Sequence, residues 1–337
     1  MTWAEAGVRG WRVDMEDACC AHSPVPGVDA DDAAKPPRPS LFAVLDGHGG
    51  AFASTFCAKA LLEALKETDE WITYEANRAA PTAPESEAGG DSKARADTEA
   101  QVLSGAMRSA VFALDEKLLA QPVMAGEKGA AEDASGSTLV CAMVTATHII
   151  VANVGDSKAV LGLGSQTEWA GHDLNTEHKP NLPAEKERIE QAGAFVVDVE
   201  GTWRVKLDLE RKSALAVSRA LGDFAYKKNA DLGAESQAVT CAPQIVVLER
   251  DAARGDELLL LACDGVWDVF DATGACEVVR QSLAAAEGAA PTDSEALTRA
   301  CDALCQASLE RGSRDNISCL AVRLGGAVFG EAVKELF

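Results

Sequence analysis

The chain has 337 residues, 47% of them hydrophobic and 25% charged, and a formal net charge of −22. That length is long for one domain and short for two large ones, and the apolar fraction is enough to bury a substantial core. The acidic balance argues against nucleic acid as a partner, because a phosphate backbone needs Lys and Arg to neutralise it. No stretch reaches the roughly 20 uninterrupted apolar residues that a membrane-spanning helix requires.

The N-terminus opens Met1-Thr2-Trp3 with Glu5 close behind. It has no apolar run, so no signal peptide is expected, and Thr2 stands where N-myristoylation needs Gly. The acidic segment Arg12-Val13-Asp14-Met15-Glu16-Asp17 follows. Next come a polar, Pro-rich connection over 29–39 and an apolar run from Ser40 to Leu45, which predicts a strand leading into Asp46-Gly47-His48-Gly49-Gly50. Helical apolar spacing predicts helices over Phe52–Glu67 and Thr98–Gln121; Val102, Ala106, Ala110, Leu114 and Leu118 share a face of the second. Between them, 75–97 is rich in Ala, Gly, Pro and Glu and is expected to be mobile surface.

Ser137–Thr145 and His148–Val154 predict a hairpin leading into Gly155-Asp156-Ser157. Pro183–Ala192 is expected to be a short helix, with Pro near its start and Gly193 after its end. Glu257–Cys263 predicts a strand leading into Asp264-Gly265-Val266-Trp267-Asp268. Thr292-Asp293-Ser294-Glu295 has the form of a capping box, and Gly312 is a stop for the helix it opens. A last strand, Ile317–Leu324, leaves Arg314-Asp315-Asn316. Long helices separated by hairpins point to sheets covered by helices, not to alternating βαβ units.

The ten Cys show no CxxC spacing and mostly lie in apolar runs, where Cys serves as a small core hydrophobe. Cys19 and Cys20, adjacent in an extended segment, would point to opposite faces. A reducing intracellular compartment is expected, cytoplasmic and also open to the nucleus.

Acidic segments at strand ends can bring carboxylates to one rim and share metal ions. An oxygen-only set built from Glu16, Asp17, Asp46, Asp264 and Asp315 suits Mg²⁺ or Mn²⁺ better than Zn²⁺. Two such ions can hold a hydroxide and clamp phosphoryl oxygens during in-line attack, with no protein nucleophile. Each motif alone has a bland reading. Asp-Gly is a common turn dipeptide, His48 could be a turn histidine, Arg12 could pair with Asp14 or Glu16, and Asp315-Asn316 could be loop chemistry.

Together the motifs resemble the metal-dependent protein phosphatases, the protein phosphatase 2C type of Ser/Thr phosphatase. The matching stretches run Gly10–Ala18, Phe42–Gly50, Ser135–Thr138, Val154–Ser157, Leu215–Asp223, Ala262–Asp268 and Gly312–Ser318, in the family's order. The resemblance covers about residues 9–325, implying one catalytic domain (1–325) and a tail (326–337). It implies an α+β fold: a four-layer αββα sandwich of two central antiparallel β-sheets flanked by helices, with a flap subdomain at about 175–215 beside the active site.

The resemblance also implies roles. Asp46 would bridge two ions, Glu16 and the Gly47 carbonyl would serve one, and Asp264 and Asp315 the other. Asp17 would hold a metal-held water from behind. Arg12 would bind the substrate phosphate, and His48 would protonate the leaving Ser or Thr oxygen. Asp156, Asp264 and Asp268 would form a weaker third-ion site. Asp223 is expected to hold the loop beneath the site, and Ser135–Thr138 to give backbone support. The implied partners are phosphorylated proteins acted on by a monomer. The alternatives are a catalytically inactive scaffold of the same fold, which should have lost a metal carboxylate, and a two-metal nuclease, which the acidic chain disfavours.

The departures cluster in the flap. Glu177-His178-Lys179-Pro180 stands where the family usually has Asp-His-Lys-Pro, Leu182-Pro183 replaces Asn-Pro, and Gly193-Ala194 replaces Gly-Gly. Glu185, Arg188 and Ile189 remain. Extra residues, among them Trp203-Arg204-Val205, precede Ser213, where Gly is usual. Trp203 is expected to cover the flap's small core rather than to meet a partner.

Overall fold

A computed structural model of the chain describes residues 1–27, 37–79, 92–124, 133–164, 169–210, 213–250, 258–286 and 292–324. It begins with β1 (Thr2–Val8), β2 (Ala18–His22), β3 (Ser40–Leu45) and β4 (Gly47–His48), then α1 (Phe52–Lys66), α2 (Asp69–Ala79) and α3 (Ser92–Leu119). Strands β5 (Gly136–Ser137), β6 (Leu139–Val144), β7 (His148–Val154), β8 (Lys158–Gly164) and β9 (Trp169–Asp173) precede α4 (Pro183–Gln191). The flap hairpin β10 (Phe195–Val199) and β11 (Thr202–Lys206) leads to β12 (Leu221–Gly222), β13 (Gln244–Glu249) and β14 (Leu258–Ala262). The described residues close with α5 (Asp264–Trp267), α6 (Ala272–Ala286), α7 (Asp293–Glu310) and β15 (Ile317–Arg323).

Two five-stranded antiparallel sheets, ordered β13-β7-β6-β3-β2 and β1-β15-β14-β8-β9, stack face to face. Because side chains alternate along a strand, each central strand feeds two cores. Phe42 and Val44 of β3, Val140 and Ala142 of β6, Leu259 and Leu261 of β14, and Leu320 and Val322 of β15 meet between the sheets. Leu41, Ala43 and Leu45 turn outward onto the layer of α1, α2 and α3. Leu258, Leu260, Cys319 and Ala321 turn outward onto α6 and α7. These strands are buried on both faces, so in sequence they show as apolar runs without alternation. The four-layer αββα expectation holds.

Local expectations fare unevenly. β3, β7, α1 and α4 fall within a residue or so of their expected bounds. Thr292 caps α7 by accepting a hydrogen bond from the Glu295 amide at 3.2 Å, and Gly312 ends that helix region at φ +96°. α3, however, begins at Ser92 and not at Thr98, and residues 75–79 belong to α2, so the two ends of the expected mobile segment are helical. The reason is packing: Trp71 and Tyr74 of α2, with ring centroids 5.1 Å apart, are buried against α3, and Lys93-Ala94-Arg95-Ala96 is made of strong helix formers. Residues 80–91, most of the 29–39 connection and the 326–337 tail lie outside the described residues. β1 carried no recognised sequence signal, yet it pairs along its length with β15.

All ten Cys are free. Cys19 packs between the sheets and Cys20 toward the helices. Among the described residues no helix is long and apolar enough to cross a membrane.

In the flap, Glu200 (φ +54°) and Gly201 (φ +88°) make the tight turn between β10 and β11, a conformation Gly accepts without strain. A small core of Ile189, Ala194, Val205, Val217, Ala220, Ala238 and Val239 anchors it. Trp203 does not cover that core, contrary to expectation; it stays 39% exposed toward the hairpin tip.

Candidate active site

Sheet register gathers the acidic segments. Ala18 pairs with Leu45, Val44 with Val140, and Leu139 with Val154, so Asp17, Asp46 and Asp156 leave the first sheet at one end. In the second sheet Ala262 pairs with Cys319, which places Asp264 and Asp315 together at the end of adjacent strands.

The tightest group is Asp17, Asp46 and Cys263, whose candidate ligand atoms lie within 4.8 Å of one another. Asp17 thus stands beside Asp46. Both Asp17 oxygens are buried without a hydrogen bond of good geometry, although Ser318 and Cys263 lie close. Burial, with the charge of Asp315 adding to it, pushes the Asp17 carboxyl up to about 6. Burial and then the charges of Asp264, Asp17, Asp156 and Asp315 hold Asp46 well above the usual carboxylate range. Asp264 is raised to about 8 by burial, followed by Asp156, Asp268 and Asp315. Carboxylates crowded and desolvated in this way gain from a cation among them. Cys263 is no such partner for the ion: burial keeps it a thiol, and its sulfur accepts the Ser318 amide at 3.1 Å.

Asn316 proves central to the segment carrying Arg12 and Glu16. Its side-chain oxygen accepts the Glu16 amide at 2.8 Å, and its amide donates to the carbonyls of Arg9 and Asp14, both at 2.9 Å. Gly47 completes this clamp. Any Cβ there would collide with the Glu16 carbonyl, which also accepts a short bond from the Ser54 hydroxyl. Arg12 is paired with Asp315, Nη2 to Oδ2 at 2.5 Å, and not with Asp14 or Glu16. It remains largely exposed, between exposed Trp11 and Val13.

His48 Nε2 lies 2.6 Å from Asp223 Oδ2. Burial opposes a charge on this imidazole, but the adjacent Asp223 carboxylate outweighs it and raises the pKa. Asp223 was expected only to hold a loop. Its left-handed backbone (φ +50°), after Gly222 at φ +74°, aims the carboxylate at His48. Gly136 leaves the room, since a Cβ there would strike both partners. Below, the Thr138 amide donates to the Asp46 carbonyl at 2.9 Å, and the Ser135 hydroxyl accepts the Ala53 amide at 3.2 Å. The backbone support expected of Ser135–Thr138 is thus visible.

Asp156 is buried and paired with Lys179, Nζ to Oδ2 at 2.5 Å. Burial raises Asp268, and the charge of Lys179 works against that rise. The imidazole of His178, pushed down to about 3 chiefly by burial, stays neutral and accepts the Gly155 amide at 3.2 Å. The sequence departure at Glu177–Pro180 thus abuts the site.

A family profile described as Protein phosphatase 2C matches residues 3–317. The chain belongs to the protein phosphatase 2C family. It is 33% identical to Protein phosphatase 1B of Homo sapiens over 334 residues, which cover 98% of this chain and 59% of that protein. The chain therefore spans less than two thirds of that relative. It is 31% identical to human Protein phosphatase 1A, over 98% of this chain and 73% of the relative. Among solved structures, a serine-threonine phosphatase 2C from Toxoplasma gondii superposes with a TM-score of 0.74 over 97% of this chain and 94% of that one. At 23% identity, that likeness concerns the protein phosphatase 2C fold. Family membership brings metal dependence in general; which ions, how many and on which residues are matters for this chain's own geometry.

Proposed function

We propose that the chain is a protein serine/threonine phosphatase that hydrolyses phosphoserine and phosphothreonine with two Mg²⁺ or Mn²⁺ ions and water. The observation that carries this reading is the convergence of Asp17, Asp46, Asp264 and Asp315 at one rim, with Asp17, Asp46 and Asp264 raised by burial and mutual repulsion. The donor set fits hard divalent ions: carboxylate oxygens, two of them on Asp17 without a good partner, and one sulfur already engaged as a thiol. Asp46, Glu16 and the Gly47 carbonyl would hold one ion, and Asp46, Asp264 and Asp315 the other. When bound, such ions acidify water and neutralise charge on the phosphoryl group.

The chain's own residues supply the rest. Arg12 presents a planar guanidinium at the exposed edge, suited to paired hydrogen bonds with phosphate oxygens. His48, whose charged form the Asp223 carboxylate favours, can give a proton to the departing serine or threonine oxygen. Asp17 adds negative charge beside Asp46 and can accept a proton there. An inactive scaffold should lack a metal carboxylate, and Glu16, Asp17, Asp46, Asp264 and Asp315 are all present.

The test is hydrolysis of a phosphothreonine peptide with Mn²⁺, with and without chelator, by the parent chain and by Asp46→Ala. Chelation and the substitution should each abolish turnover. Activity surviving both would overturn the two-metal reading.

A further inference from the structure

The Asp156 corner already contains a cation. Lys179 Nζ lies 2.5 Å from Asp156 Oδ2, and the Asp156 side chain is only 4% exposed. A carboxylate so buried cannot be left alone: either the ammonium or an ion must sit on it. The ammonium is not a wandering surface charge. Next to it, the His178 amide donates to the Gly155 carbonyl at 2.9 Å while the Gly155 amide donates back to His178 Nδ1 at 3.2 Å. The backbones bearing Lys179 and Asp156 are thereby tied to each other.

Lys179 also has somewhere to go. Glu177 Oε2 is 3.8 Å from its Nζ, and Glu177 Oε1 is 3.0 Å from Lys158 Nζ. Lys158 in turn reaches Asp173 Oδ2 at 3.4 Å and sits 5.5 Å from the centre of the Trp267 ring, between Asp264 and Asp268 in sequence. Charges therefore alternate along Asp156, Lys179, Glu177, Lys158 and Asp173. If Lys179 leaves Asp156, Glu177 can receive it while Lys158 keeps Asp173. Glu in place of the family's usual Asp at 177 lengthens that reach by one methylene.

We propose that Lys179 is a tethered cation that competes for Asp156 and sets the loading threshold of a third ion shared with Asp264 and Asp268, with Glu177 receiving the displaced ammonium. The proposal rests on the metal reading above, and the two fail separately. A divalent ion entering this corner must dislodge a unit charge at contact distance, so this ion is the weakest bound.

The experiment is Mn²⁺ titration of the full chain, by calorimetry and by electron paramagnetic resonance of free Mn²⁺, with circular dichroism as the check on folding. Lys179→Gln should tighten the weakest class of Mn²⁺ by about tenfold, or bring one into range, because a unit charge at short range no longer opposes it. Glu177→Gln should loosen that class several-fold, a rough expectation for losing one partly exposed carboxylate partner. Asp156→Asn should remove the class and make Lys179→Gln silent. The tighter ions should bind alike in all variants. A weak class unchanged or weakened in Lys179→Gln overturns the proposal, whereas absence of any Mn²⁺ binding in the parent overturns the metal reading instead. Should Lys179→Gln fail to fold, anomalous diffraction from the parent at rising Mn²⁺ decides. Lys179 turning to Glu177 as an ion appears on Asp156 supports the proposal; Lys179 still on Asp156 beside that ion refutes it.

Discussion

Replacing Asp223 by Asn isolates the contribution of the His48 partner. Asn tolerates the left-handed backbone that residue 223 adopts at φ +50°, so the fold should survive with only the charge removed. The bond at stake is a 2.6 Å contact between a buried carboxylate and an imidazole. Hydrogen bonds to charged groups contribute about 1.5–3 kcal/mol, which is about 10- to 150-fold in rate if the full amount acts on proton donation. That loss should fall on phosphoserine and phosphothreonine peptides, whose leaving alkoxide needs a proton. It should nearly vanish for p-nitrophenyl phosphate, whose leaving group does not. Steady-state kcat on both substrates, for Asp223→Asn, His48→Gln and the double variant, is the assay. An equal fall on both substrates, or full additivity in the double variant, would refute the assignment of Asp223 as the residue that positions and charges His48.

Glu185, buried on α4 within the flap, accepts from Arg188, Arg219 and Ser218. Burial disfavours its charge, yet Arg219 and then Arg188 and Ser218 more than offset that and hold it at about 2. Its folded pKa is below the ordinary 4.5, so its contribution is full above that value and is lost as pH falls from about 4.5 toward 2. Glu185→Ala should destabilise by about 3 kcal/mol, because two partly buried guanidinium groups lose their carboxylate partner, and should flatten that acid limb in denaturant titrations; an unchanged pH profile would contradict the network's role. Thr292→Ala should cost about 1 kcal/mol through the lost cap of α7, read as a lower urea midpoint at constant m-value. Gly136→Ala should disturb the His48–Asp223 pair through the clash it creates; its peptide-to-aryl rate ratio should fall as in Asp223→Asn, and a ratio equal to the parent's would count against the steric argument.

Much of this protein was decided locally. The strands β3, β7, β14 and β15 are rich in Leu, Val, Ile and Ala and lie next to Asp- or Gly-containing segments, and such runs carry their own signal because they are largely apolar on both faces. The acidic motifs at their ends named the candidate ligands for the same reason, as did the cap at Thr292 and the stop at Gly312. β1 was not legible, because its half-buried alternation of Trp3, Ala4, Glu5 and Ala6 matters only when β15 lies beside it. The helical ends of 75–97 were missed because they are stabilised by Trp71 and Tyr74 packing on α3, not by their own periodicity.

Partner choice was decided by tertiary structure alone. Arg12 meets Asp315, His48 meets Asp223, Lys179 meets Asp156, and Asn316 holds Arg9, Asp14 and Glu16. None of these pairs is adjacent in the chain, and a side chain's sequence neighbours carry no information about what strand register brings opposite it. The sequence determined which charges would stand at the rim. The packing of two sheets determined which of them are buried and which already have a counter-charge.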